Sequence, residues 1–217
     1  MIRKKAFTLI EISIVLIIIG IIISSIMKGR DLLRSSKIKD FSHTFVNEWE
    51  IVSDSYFTRM GTNLTDSTTN GGSSTDIDGF MDGDINTTIQ YTNIDTNLTS
   101  SGIDICKSIK ADTKDGTTFC SSGYNPFKRT ITGEFTGTKI VTVTFTNYII
   151  DGRKENIILF NNIPGDVAQA IDSSRDGIPS GTQGTVLALD EEESAGSTPT
   201  LVNWDSTSTQ TMVIIAK

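Results

Sequence analysis

Histidine and cysteine are almost missing from these 217 residues: the chain has one histidine, His43, and two cysteines, Cys106 and Cys120. That scarcity excludes Cys/His catalytic pairing, histidine-spaced metal sites and a haem attachment sequence, and no glycine-rich phosphate loop follows a strand-like run. Serine and aspartate are plentiful, but without a positioned base they make no nucleophile, so no enzymatic activity is expected. An excess of positive charge is lacking too. The chain carries a formal −7. From Phe41 to Lys217 there are 23 acidic against 11 basic residues, a formal −12. Nucleic-acid binding calls for a basic patch, so it is not expected of this chain alone.

The one long apolar run is what the chain does have. Phe7 to Met27 is two-thirds Ile, Leu, Val and Phe, and as a helix it would reach about 31 Å, the thickness of a bilayer core. Arg3, Lys4 and Lys5 precede it and Glu11 stands near its start. A secretory signal peptide has a shorter apolar stretch and a small-x-small cut site, whereas Met27-Lys28-Gly29-Arg30 follows here. A carboxylate within such a span is costly and points to a functional site.

Lys5-Ala6-Phe7-Thr8-Leu9-Ile10-Glu11 ahead of an Ile-rich helix resembles the class III leader of type IV prepilins and type II secretion pseudopilins, over about the first 30 residues. The resemblance implies cleavage between Ala6 and Phe7 by a prepilin peptidase on the cytoplasmic side, then N-methylation of Phe7. The family prefers Gly before the cut, where this chain has Ala6. Many type IV pilins also carry a proline just beyond the membrane core; this chain has Ser24-Ser25-Ile26-Met27-Lys28-Gly29 there. Glu11 and Thr8 are the expected assembly residues. Beside the freed Phe7 amine of a neighbour, the Glu11 carboxylate would have its desolvation compensated.

Basic residues flank the span on both sides, with Lys28, Arg30, Arg34, Lys37 and Lys39 after it, so the positive-inside rule alone leaves topology open. The resemblance implies insertion in a bacterial inner membrane with the leader inside and the large C-terminal part in the periplasm. On that side Cys106 and Cys120, an even pair, are expected to bridge. The basic stretch could meet phospholipid headgroups before assembly or acidic neighbours after it.

Beyond the span, Ile38, Phe41, Phe45, Trp49, Val52 and Tyr56 recur every three or four residues, predicting one amphipathic helical face through residues 28–60 and a stop at Gly61. These aromatics read as core rather than as a binding array, and His43 as a solvent or interface residue. Helix from Phe7 to Met60 would measure about 80 Å.

Residues 61–104 are rich in Thr, Asn, Ser, Gly and Asp and predict a long surface loop, flexible around Gly71-Gly72, with a short strand near Ile85 to Tyr91. Asp76, Asp78, Asp82 and Asp84 are calcium candidates there, and Asp172 and Asp176 form a second acidic turn. Phe80 falls where an EF-hand would place a third ligand and no Glu closes the loop, so a solvated acidic loop is the competing reading and no cofactor is expected. Asn63, Asn86 and Asn97 each begin an Asn-x-Thr triplet.

From residue 105 on the pattern is β-rich. Val141, Val143 and Phe145 alternate with threonines, and Asp151-Gly152 predicts a hairpin turn toward Asn156 to Phe160. Asp166 to Asp172 predicts a short helix, and Thr185 to Leu189 and Thr211 to Ala216 two further strands. The expected fold is α+β, a long N-terminal helix packed on an antiparallel sheet. With the family resemblance this implies a structural subunit of a type IV pilus or a secretion pseudopilus. The 211 residues left after cleavage favour a minor or pilin-like component. Its implied partners are other pilin or pseudopilin subunits, the peptidase, an inner-membrane assembly platform and membrane lipid. An adhesive or ligand-binding tip module is the alternative.

Overall fold

The computed structural model describes residues 8–83, 88–116, 119–190 and 193–216. The chain divides into two compact units, one ending at Lys37 and one beginning at Ile38. The first is helix. The second is α+β and holds a five-stranded antiparallel sheet.

Helix α1 runs Leu9–Phe41, a π-helical turn follows at Ser42–Val46, and α2 runs Asn47–Met60. The π turn answers to the residue spacing. Phe41, Phe45 and Trp49 are each four apart, which in a regular helix drifts off one face, and one widened turn lets Phe41, Phe45, Val46 and Trp49 all be buried. Gly61 ends α2 as expected: it sits at φ 72°, and its N–H donates to the Phe57 carbonyl at 2.8 Å.

The sheet order is β1-β2-β3-β5-β4, with β1 Lys128–Gly133, β2 Gly137–Ile150, β3 Arg153–Pro164, β4 Val186–Leu189 and β5 Thr209–Ile215. The Asp151-Gly152 turn forms with both residues at positive φ, 51° and 77°, the conformation a two-residue hairpin requires. Strand β3 continues to Pro164 past an irregularity between Phe160 and Ile163, where Asn162 takes φ 60°. Helix α5, Gly165–Asp176, is longer than the predicted 166–172.

The predicted helical face is the core. Trp49 stacks on Phe127 with ring centroids 5.0 Å apart and meets Phe145 edge-on at 5.5 Å, while Phe45 meets Phe160 at 5.9 Å. Full burial of each such side chain contributes about 1.5–3 kcal/mol relative to exposure. The opposite face of the sheet is also covered. Tyr148, Ile157, Leu159, Leu187, Leu189 and Val213 form a second cluster with Leu201 packed against it. Within that cover, Ser197 O accepts from Ile149 N–H at 2.8 Å and Asn147 O accepts from Gly196 N–H at 2.9 Å.

Residues 61–104 differ from the predicted surface loop. Thr88–Ser100 form helix α3, so the expected strand does not hold over 88–91, and residues 84–87 lie outside the described set. Tyr91, Ile94 and Leu98 recur at helical spacing and are buried, with Tyr91 stacked on Phe127 at 4.5 Å. Leu64, Thr65, Asp66 and Ser67 are buried as well. Gly72 is there for close approach rather than flexibility: a Cβ at that position would lie 2.0 Å from the Thr65 carbonyl oxygen.

Both sheet edges are occupied. On β1, Thr130 N–H donates to Asp112 Oδ1 at 2.8 Å and Lys128 N–H to Asn125 O at 3.2 Å. On β4, Ala188 N–H donates to Gly181 O at 2.7 Å and its carbonyl accepts from Val202 N–H at 3.0 Å.

Ion pairs anchor the helical run of the second unit. Buried Arg129 on β1 donates to Asp40 and Thr44 and lies over the Phe41 ring at 5.6 Å. On α5, Arg175 makes a two-pronged bond to Glu50 at 2.7 and 2.8 Å. The hydrogen bond from Lys110, helped by the Arg129 charge, holds the Asp40 carboxyl below the ordinary range. A lowered carboxyl contributes stability that is complete above about pH 4, the unfolded value, and is lost as pH falls through the folded one. Thermal unfolding of wild type and Asp40→Asn from pH 2 to 7 should therefore show a gap at neutral pH that closes in acid.

Candidate assembly segment and head contacts

Thr8 and Glu11 form a capping box, with sequence Thr-x-x-Glu. The Thr8 N–H and hydroxyl both donate to Glu11 Oε2 at 2.8 Å, and Glu11 N–H donates back to Thr8 Oγ1 at 3.3 Å. Helix N-terminal N–H groups lack intrahelical partners, and in hydrocarbon each unsatisfied one costs several kcal/mol. Glu11 therefore has a local task as well as its expected assembly role. Thr-x-x-Glu is legible in the sequence; the apolar run around it draws attention to charge and away from capping. Ala6 and Phe7, the expected cut site, lie outside the described residues.

After the cap, Leu9 to Met27 expose their side chains all round, with Ile and Leu exposures from 45% to 88%. The helical run Leu9–Met60 contains a window of mean hydropathy 2.8, long and apolar enough to cross a membrane. Lys28, Arg30, Lys37 and Lys39 follow, also exposed.

In the head, Cys106 and Cys120 are bridged, with Cα atoms 5.7 Å apart. Asp104 caps the short helix α4, Ile105–Ser108, by accepting from Cys106 N–H at 3.1 Å. Next to Cys120, Phe119 packs edge-on against Phe127 and Tyr91. The bridge thus ties α4 to the segment that completes the aromatic core.

The calcium candidates are not brought together: among the described residues no three His, Cys, Asp or Glu side chains stand close enough to hold a metal ion. Asp78 accepts from Phe80 N–H at 3.0 Å and from Lys154 Nζ at 3.2 Å, and Asp82 accepts from Asn147 Nδ2 at 2.8 Å. Burial raises the Asp82 carboxyl. Asp76 is exposed, and Asp84 lies outside the described residues. The carboxylate that organises this loop is Asp66, fully buried and accepting from the N–H groups of Asp78 and Gly79 at 3.0 and 3.1 Å. A lone Asp in a Thr-rich stretch gives no sequence signal for that role.

Asp172 is fully buried and accepts from Trp204 Nε1 at 2.7 Å and Ser180 N–H at 2.8 Å. Asp176 accepts from the N–H and hydroxyl of Thr185, each at 2.8 Å. Both serve to fix the turn between α5 and β4. The triplet asparagines are also engaged: Asn63 Nδ2 donates to Gly79 O at 2.7 Å and Asn97 Nδ2 to Thr69 O at 2.8 Å, while Asn86 lies outside the described residues.

No protein-family model matches the chain, and neither a curated protein nor a solved structure shows similarity to it.

Two outcomes are expected. Replacing both cysteines by serine should lower the unfolding free energy by about 2–4 kcal/mol, read by denaturant titration with and without reductant. Burial, with the Asp176 charge beside it, raises the Asp172 carboxyl. A raised carboxyl contributes stability below its unfolded value and loses it as pH rises through the folded one. Asp172→Asn, which still accepts from Trp204, should therefore melt higher than wild type at pH 7, with the advantage shrinking in acid.

Proposed function

We propose that this chain is a structural subunit of a type IV pilus or a type II secretion pseudopilus. It is inserted in a bacterial inner membrane through the first part of α1, cleaved between Ala6 and Phe7, and assembled through its N-terminal helix. One observation carries the reading. A single helical run, Leu9–Met60, is apolar and membrane-long in its first part and in its second supplies the aromatic stripe of an α+β head. The prepilin-like residues Lys5 to Glu11, the disulfide and the acidic head support it. In this reading it is a minor or pilin-like component with no catalytic role. Its partners in this reading are other pilin or pseudopilin subunits, the prepilin peptidase, the inner-membrane assembly platform and, before assembly, lipid.

Immunolabelling of sheared filaments, with a secretion assay in a deletion strain, tests the reading; label along shafts supports a filament subunit and label confined to tips supports an adhesive module. The capping box sharpens the expectation for Glu11. Glu11→Ala removes charge and cap together, and loss of a cap costs about 1 kcal/mol. Glu11→Gln keeps an acceptor for Thr8 and removes only the charge. Membrane fractions should hold both variants at wild-type levels, and filaments should incorporate neither. Incorporation of the Gln variant alone would assign the role of Glu11 to capping, and incorporation of both would end the assembly argument.

A further inference from the structure

A groove of about 670 Å³ opens in the head beside the end of α5, a volume in the range of small-ligand pockets. The last turn of α5 sends Arg175 to α2, where the guanidinium takes both oxygens of Glu50 at 2.7 and 2.8 Å and also donates to Asn47. Gly177 then stops the helix at φ 82°, and the next residue to line the groove is Thr185. At its back stand Ile158 and Ile214, buried cross-strand partners on β3 and β5. Ile51, Asp54 and Phe57 line it from α2, three residues apart and so on neighbouring turns of one side. Ile51 is 55% and Phe57 48% exposed, and Ala216 is half-buried. The Asp54 carboxylate between the two apolar side chains is exposed and takes part in no ion pair among the described residues.

We propose that this groove binds a small organic cation, an ammonium or guanidinium group on an aromatic or aliphatic body. The body lies against Ile51, Phe57 and Ala216, and the cation meets Asp54. Charge selects the occupant. Among the described lining residues Arg175 is the one basic side chain, and its guanidinium is spent on Glu50 and Asn47, so an anion finds no partner there. Glu50 and Asp54 stand four apart on α2; the first already holds a guanidinium supplied by the fold, and the second offers the same group to a molecule from outside. A second head is a poor occupant, because the chain from Phe41 on is at −12 and two such surfaces repel, whereas the same field draws a cation in. The proposal concerns the head alone and holds whether or not the chain enters a filament.

The test uses the full-length chain in phosphatidylcholine nanodiscs at pH 7 and three probes that share one body: 4-fluorobenzylamine, 4-fluorobenzyl alcohol and 4-fluorobenzoate, each titrated by fluorine NMR. The amine should bind saturably, the alcohol more weakly and the benzoate not at all. Asp54→Asn should weaken the amine about two- to fivefold, the scale of one exposed ion pair, and leave the alcohol unchanged. Phe57→Ser, at an exposed position that tolerates the change, should weaken amine and alcohol by a similar factor. Alcohol bound as tightly as amine, with Asp54→Asn silent, marks an apolar site without choice of charge and overturns the proposal. Benzoate bound more tightly than the amine makes Arg175 the anchor and overturns it as well. So does an amine signal indifferent to both substitutions, the behaviour of a probe that partitions into the lipid. An apparent affinity that weakens as protein concentration rises assigns the groove to a second copy and overturns it too.

Discussion

The burial of Trp49 is the constraint on which the head depends. Its ring is wholly removed from solvent, stacked on Phe127 and met edge-on by Phe145, and through Phe127 it reaches Tyr91 of α3 and Phe119 beside the disulfide. Helix, sheet and the disulfide-linked segment share one aromatic cluster. Offset and edge-on ring contacts have defined geometry, so the cluster fixes the rotation of α2 over the sheet as well as the area it buries. The π turn at Ser42–Val46 and the ion pairs of Asp40 and Glu50 act on that same rotation from the two sides of Trp49.

Much of this arrangement could be read from the chain. The spacing of Phe41, Phe45, Trp49, Val52 and Tyr56 states a helical face, Gly61 a stop, Asp151-Gly152 a hairpin, and Val141 to Phe145 a strand with one face inward. Each is a local signal governed by one strong residue preference. Helix α3 was harder to read because Tyr91, Ile94 and Leu98 are separated by Thr and Asn, residues that disfavour helix interiors, so tertiary burial overrides propensity there. The role of Asp66 was hidden for a different reason: its partners, the N–H groups of Asp78 and Gly79, are backbone atoms and leave no trace in side-chain pattern. The cover over the far face of the sheet was equally silent, although the unbroken apolar runs Ile157–Phe160 and Val186–Leu189 are what strands buried on both faces require.

In the candidate segment the charge of Glu11 overshadows the Thr-x-x-Glu capping pattern that the sequence also carries. A carboxylate in an apolar run reads first as an ion awaiting a partner. The structure adds that the same carboxylate already accepts from Thr8, and the N–H groups of Thr8 and Glu11 find partners within the chain. The two roles are compatible, since a carboxylate has lone pairs for more than two donors.

The occupied sheet edges have a consequence for how this chain meets other chains. An edge with free N–H and C=O groups is a template on which any extended peptide can add a strand, and growth by that route has no built-in choice of partner. Asp112 takes a β1 N–H that would offer such pairing, and Gly181 and Val202 take the N–H and C=O of Ala188 on β4. The head is thereby blunted against strand addition. Association is left to surfaces made of side chains, which can discriminate among partners by shape and charge where a bare backbone cannot.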